Sequence, residues 1–158
     1  MPAAALSDES RAVVRRFFAE LWNNGNLNVA DELIDMDAVN HDPAGPRLGM
    51  GPEATKRLVT MYRNAFPDLV LQTEHLFAES GMVAIHWVSS GTHRGEFLGA
   101  APTGKRVLLD GISILQVDRG KISEVFTNWD TLSLMRQIGE PKLPDHNSSS
   151  MPAADDRA

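Results

Sequence analysis

The 158-residue chain contains no cysteine, which excludes a disulfide framework, thiolate nucleophiles and Cys-ligated zinc or iron–sulfur centres. It is also short of positive charge: 15 Lys+Arg stand against 21 Asp+Glu, a formal net charge of −6. The C-terminal stretch does not create that sign, since residues 1–140 alone hold 13 basic (15 − 2) and 18 acidic (21 − 3) side chains. Binding to nucleic acid normally needs a basic face that displaces counterions from phosphates, so no such partner is expected. No stretch approaches the ~18 apolar residues of a membrane span. Met1 to Leu6, followed by Ser7-Asp8-Glu9, lacks the basic-then-apolar order of a secretion signal. The expectation is a cytoplasmic protein with no membrane partner.

Several catalytic signatures are missing too. Gly91 to Gly99 contains glycines, but the segment after it holds Pro102 and opens no helix, so it is not a phosphate-cradling loop. There is no G-x-S-x-G nucleophile elbow and no H-E-x-x-H. His41-Asp42 is an isolated pair, and His86 and His93 lie seven apart across the end of a predicted strand. No metal and no cofactor are therefore expected.

What is present is one domain's worth of chain, enough to bury roughly 70% of the surface its unfolded form exposes. Val13, Val14, Phe17, Phe18, Leu21 and Trp22 recur at helical spacing after a Ser7 cap, and Asn23-Asn24-Gly25 closes that helix. A second short helix is predicted from Val29 to Met36, then a short extended piece from Ala38 to Asp42. Pro52 suits the start of a third helix, with Leu58, Met61, Tyr62, Ala65 and Phe66 on its apolar face and Pro67 ending it.

The period then changes. Leu69 to Phe77, Met82 to Thr92, Arg106 to Val117 and Lys121 to Trp129 are rich in β-branched and aromatic residues. Glu79-Ser80-Gly81 and Asp118-Arg119-Gly120 read as hairpin turns, and 93–105 as a loop. Leu132, Leu134, Met135 and Ile138 predict a last short helix closed by Gly139 and Pro141. Residues 1–6 read as a flexible leader, 7–140 as the domain and 141–158, dominated by Pro, Ser, Asn and Asp, as a disordered tail. Three helices followed by an antiparallel sheet is an α+β order. A curved antiparallel sheet wrapped around the three helices would form a cone, an α+β barrel with one open end.

Polar residues inside apolar strands are the candidates for chemistry. His86 interrupts Val83 to Val88, Asp110 follows Val107-Leu108-Leu109, and Asn128 and Asp130 end the last strand. A carboxylate among apolar groups is pushed toward neutrality, which suits a general base at cellular pH. Each has a plainer role open to it: Asp130 as the cap of the last helix, His86 as a satisfied strand histidine, Asp110 at a bulge or in solvent.

Gly91-Thr92-His93-Arg94-Gly95-Glu96-Phe97-Leu98-Gly99, then Pro102-Thr103-Gly104-Lys105-Arg106-Val107, then Gly120-Lys121-Ile122 with Glu124 and Asp130, and a last helix ending Ile138-Gly139, together resemble the SnoaL-like polyketide cyclase family. Asn40-His41-Asp42-Pro43 and Phe66-Pro67-Asp68-Leu69 match further landmarks, so the resemblance spans roughly 10–140. It implies a fold similar to nuclear transport factor 2, a homodimer formed through the sheet, and cofactor-free intramolecular aldol closure of a small hydrophobic polyketide ester. In such proteins an aspartate at the end of the last long strand removes the proton α to a carbonyl, and Asp130 holds that place. His86 is then the acid or hydrogen-bonding partner. His41, Tyr62, Asp110, Ser113, Phe126 and Asn128 are assigned to the pocket lining, although Ser113, Phe126 and His86 depart from the residues frequent at their places in the family. Two alternatives stay open. One is an epoxide-opening ether cyclase or epoxide hydrolase, against whose hydrolase form the strand from Lys105 to Val117 has no Arg-x-Asp. The other is a non-catalytic small-ligand-binding module, because fold does not fix function.

Overall fold

The structure, a computed structural model, describes residues 3–45 and 48–139. Its first helix, α1 (Ala3–Arg16), begins earlier than the Ser7 start expected, because Ala3-Ala4-Ala5-Leu6 are strong helix formers and extend it N-terminally. The expected tail at 141–158 lies outside the described residues.

α1 runs on as a π-helical stretch, Phe17–Asn23, whose wider ladder is visible in the Asn24 N–H donating to Ala19 O at 3.1 Å. Phe17, Phe18 and Leu21 are all buried there, so the stripe read from sequence continues through the change of helix type. The end of the stretch is clamped to the sheet, since Asn23 Nδ2 donates to Leu71 O and Leu71 N donates to Asn23 Oδ1, at 2.9 and 2.8 Å.

α2 (Val29–Leu33) is shorter than expected, because at Ile34 the backbone turns extended. Here begins β1 (Ile34–His41), and it pairs parallel with the last strand, Ile34 opposite Ile122 and Asn40 opposite Val125. A buried β-branched Ile34 bonded into a sheet outweighs the continuation of a weak helix. α3 (Gly51–Ala65) follows, with Pro52 in its first turn. Gly51 has φ +75°, and a Cβ there would run into the Met36 carbonyl, so glycine lets α3 start against β1.

β2 (Val70–Glu79), β3 (Met82–Thr92), β4 (Arg106–Asp118) and β5 (Lys121–Trp129) form an antiparallel meander, and the sheet order is β1-β5-β4-β3-β2. Both predicted hairpins exist: Ser80-Gly81 and Arg119-Gly120 have positive φ, as two-residue hairpin turns require. α4 (Thr131–Ile138) closes the fold and ends on Gly139 at φ +96°. The α+β expectation holds, with two corrections. The sheet is mixed, because β1 is parallel to β5, and it is open, because edges β1 and β2 do not meet; it is not a closed barrel.

Alternation along the strands decides which side chains face inward. Val83, Ile85, Trp87 and Ser89 of β3, with Val107, Ser113, Leu115 and Val117 of β4, are buried on the face that meets the helices. Their neighbours His86, Leu108, Asp110, Ile112 and Ile114 occupy the opposite, outer face. Two apolar clusters result, one of α1 and the π-helical stretch on the sheet, the other of Phe66, Phe97, Val107 and α4; Trp22 and Trp129 touch both.

Candidate active site

Between the two clusters lies a cavity of about 70 Å³. Phe18, Trp22, Phe66, Leu69, Trp87 and Trp129 give it a largely apolar, aromatic wall. Among the described residues one carboxylate borders it, that of Asp42, just past the end of β1. Its orientation is set locally and from across the fold. Asp42 Oδ1 accepts from the backbone N–H of Ala44 and Gly45 at 2.9 and 3.1 Å, a turn that Pro43 favours. From α3 the Tyr62 hydroxyl donates to it, at 2.9 Å from Oδ2 and 3.1 Å from Oδ1, and from β5 Trp129 Nε1 donates to Oδ1 at 3.3 Å.

Tyr62 is held in this corner by edge-to-face contacts with Trp22 and Trp129 and a tilted contact with Phe97. Burial pushes its phenol far above the ordinary 10.0, and the Asp42 charge adds to that shift while Trp129 opposes it. Tyr62 therefore keeps its proton and stays a donor throughout the physiological range. The cavity floor holds a second polar group: Trp87 Nε1 donates to Ser113 Oγ at 3.0 Å, and Ser113 Oγ lies 2.9 Å from Thr127 Oγ1.

A second, wider space is a groove of about 440 Å³. His41, Phe126 and Asn128 line it, with His41 stacked on Phe126 at 4.5 Å between centroids and its Nε2 3.0 Å from Glu124 Oε1. Asn40, Asp42, Leu58 and Thr127 line both spaces. Asn40 Oδ1 is buried and among the described residues has no hydrogen-bond partner, a condition that costs about 1–3 kcal/mol when nothing relieves it.

The sequence-predicted residues thus fall into three groups. Tyr62 and Ser113 line the cavity; His41, Phe126 and Asn128 line the groove. Asp130, His86 and Asp110 line neither. Asp130 caps α4, with Oδ1 accepting from Ser133 N at 2.8 Å, and is exposed. His86 and Asp110 are on the outer face, where His86 Nε2 is 2.7 Å from Asp110 Oδ2 and His86 Nδ1 is 3.2 Å from His75 Nδ1. His86 does share a face with Ala84 and Val88, but it is the face turned away from the helices. Asp42, Asn40 and the two tryptophans Trp22 and Trp129 were not singled out by sequence as site residues. The signal was present in Asn40-His41-Asp42: with a two-residue period, Asn40 and Asp42 take one side and His41 the other.

The model of the SnoaL-like polyketide cyclase family matches residues 12–138. Among characterised relatives, the chain is 31% identical over 137 residues to aklanonic acid methyl ester cyclase DnrD of Streptomyces peucetius, covering 82% of this chain and 90% of that protein. It is 29% identical over 122 residues to nogalonic acid methyl ester cyclase of Streptomyces nogalater, covering 76% of this chain and 90% of that one. Among solved structures, TsrD of Streptomyces laurentii superposes with a TM-score of 0.76 at 22% identity, over 85% of this chain and 97% of its own, a likeness of fold alone. AclR of Streptomyces galilaeus, which carries a hydroxylase designation, gives a TM-score of 0.73 at 29% identity, over 88% of this chain and 85% of its own.

Proposed function

Since the chain belongs to the SnoaL-like polyketide cyclase family, we propose that it closes a ring in a small polyketide-type ester by proton transfer, without a cofactor. The observation that carries this reading is the Asp42–Tyr62–Trp129 corner: a carboxylate and a phenol held together at the wall of an aromatic cavity. Relatives named as methyl ester cyclases supply the substrate class.

The chemistry asks for little. A base removes the proton from a carbon α to a carbonyl, the enolate carbon attacks a ketone of the same molecule, a carbon–carbon bond forms, and the resulting alkoxide takes a proton. We assign the base to Asp42, because among the described residues it is the carboxylate that borders the cavity, and to Tyr62, which burial keeps protonated and whose hydroxyl donates to Asp42, the positioning of that carboxylate. Water is kept off the enolate by the surrounding aromatic side chains.

Asp130, the base that the family resemblance implies, is a second reading. It follows Trp129 in the chain and precedes Leu134 by one helical turn, and both of those line the cavity. Its carboxylate is turned to solvent and bonded to Ser133, so it would have to leave its capping position to act.

Incubating the purified protein with anthraquinone methyl esters bearing a β-ketoacyl side chain tests the proposal. Intramolecular aldol closure gives a product of unchanged mass and new retention time. A product heavier by one oxygen, or no product across a panel of such esters, rejects the assignment.

We further propose that the protein acts as a homodimer through the outer face of the sheet. Leu108, Ile112 and Phe77 are 63%, 54% and 68% exposed there. Ile114 extends the same apolar surface, which a second copy would cover.

A further inference from the structure

The outer face of the sheet carries three titratable side chains linked end to end. His75 of β2 and His86 of β3 stand opposite each other in the register, and Ile112 of β4 and Asn128 of β5 continue that row. The two imidazoles face each other Nδ1 to Nδ1 at 3.2 Å, and His86 Nε2 lies 2.7 Å from Asp110 Oδ2. Ring planes within 12° of parallel and centroids 5.5 Å apart mean that the rings meet by their nitrogen edges, as a hydrogen bond needs, and not face on.

Counting protons limits what this arrangement tolerates. The Asp110 carboxylate only accepts, so His86 donates to it from Nε2, and the contact between the two Nδ1 atoms needs a single hydrogen, carried by either ring. With both rings neutral, that hydrogen sits on His75. One extra proton makes one imidazolium and keeps the contact. Another places N–H groups on both sides of the 3.2 Å gap and sets two positive rings against one carboxylate. Imidazole is the side chain whose charge ordinarily changes between about pH 5 and 8, so mild acid is where that limit is approached.

The surroundings decide what the limit does. Phe77 lies beside His75 with its ring parallel and centroids 6.5 Å apart, and Phe77, Leu108 and Ile112 are the exposed apolar side chains through which two copies are taken to meet. Other charged groups of this face are Arg106 and Asp118 at the two ends of β4, Glu79 at the end of β2, Glu124 of β5, which is held by His41, and Glu74 in the β2 bulge before His75. The helices pack on the opposite face, and a second copy brings the same groups again. Under that copy the cluster loses the water that screens an added charge, and an unpaired charge out of water is costly.

We propose that the His75–His86–Asp110 cluster makes self-association through the sheet proton-dependent: the dimer accommodates one extra proton per cluster, and a further one drives the copies apart. This rests on the reading that the outer face is the dimer contact, and it adds the condition under which that contact holds. Separated chains take up a proton that the dimer excludes, so association releases up to about two protons, one for each cluster, and acid weakens it.

Sedimentation equilibrium at pH 7.5, 6.5 and 5.5 and constant ionic strength reads the dimer dissociation constant, while far-ultraviolet circular dichroism checks that the chain stays folded. From pH 7.5 to 5.5 that constant should rise about 10- to 100-fold. His75→Asn places an amide N–H near the position of Nδ1–H and does not titrate, so its constant should change by less than about threefold over the same range. His41→Asn, which removes the histidine stacked on Phe126, should keep the pH dependence of the parent. A dissociation constant independent of pH, or the parent's pH dependence in His75→Asn, overturns the proposal and leaves the dimer standing. A monomer at every pH overturns both.

Discussion

Trp129 and Asp130 are adjacent in the chain, yet their polar groups serve opposite sides of the β5–α4 junction. Trp129 Nε1 donates inward to Asp42 at 3.3 Å, while Asp130 Oδ1 accepts from Ser133 N at 2.8 Å at the surface. One residue step therefore separates the cavity from the solvent, and two carboxylates compete for the role of base from its two sides.

That competition is decided by paired variants. Asp42→Asn should lower the ring-closure rate by about 10²–10⁴-fold, the usual scale of a positioned acid or base. Asp130→Asn keeps a capping oxygen and should leave the rate within about threefold, whereas Asp130→Ala should lower stability by about 1 kcal/mol through the lost cap. Single-turnover assays with chemical denaturation of the same three proteins separate these effects; a large rate loss in Asp130→Asn alone transfers the base to position 130.

Gly111 faces inward on β4, and a Cβ there would fall within the Trp87 indole. Gly111→Ala should displace that ring and strain its bond to Ser113 Oγ. The expected cost is about 1–3 kcal/mol, a fall in Tm of several degrees, with a changed near-ultraviolet tryptophan signal. An unchanged Tm would mean that the indole has room to move.

His93 is completely buried, and burial holds its imidazole below the ordinary 6.5, against an opposing pull from the Gly95 backbone. The unfolded chain therefore binds this proton more readily than the folded one. Its linkage leaves stability unaffected above about pH 6.5 and erodes it as pH falls through that value toward the lowered folded one, with a slope of at most about 1.4 kcal/mol per pH unit. Urea denaturation between pH 7.5 and 5 should show a shallower loss in His93→Gln than in the parent protein; parallel slopes would contradict the assignment.

Lysine placed at Leu108 and Ile112 adds charge to the outer face without disturbing the core, since both side chains are exposed. The double substitution Leu108→Lys, Ile112→Lys should convert a dimer into a monomer of near-native secondary structure in sedimentation velocity. A sedimentation coefficient that does not change places the contact elsewhere or removes it.

Most of the fold is legible because its signals are local. Ser80-Gly81 and Arg119-Gly120 announce hairpins, the apolar stripe from Val13 to Leu21 announces a buried helix, and Gly139 marks the end of the last one. β1 is less legible: Asp35, Met36 and Asp37 carry no strand signal, and what makes them extended is the pairing of their neighbours Ile34 and Val39 with a strand far along the chain. The site is harder still. Alternation groups His86 with Ala84 and Val88 but does not say which side of the sheet meets the helices, so the sequence pattern assigns His86 and Asp110 to a pocket they turn away from. Asp42 becomes visible as a site residue only when Tyr62 of α3 and Trp129 of β5 converge on it, which no spacing within one segment encodes.

The parallel pairing of β1 with β5 also has a kinetic consequence. Ile34 meets Ile122, 88 residues downstream (122 − 34), whereas the β2–β3 and β4–β5 hairpins close over two-residue turns. Closing long loops before any contact rewards them is slow, so the meander can assemble early while β1 docks late. A nascent chain halted before Lys121 has no β5 for β1 to join. The strand that carries Asn40 and leads into Asp42 then lacks its partner, so ring-closing competence should arrive only after β5 has been made.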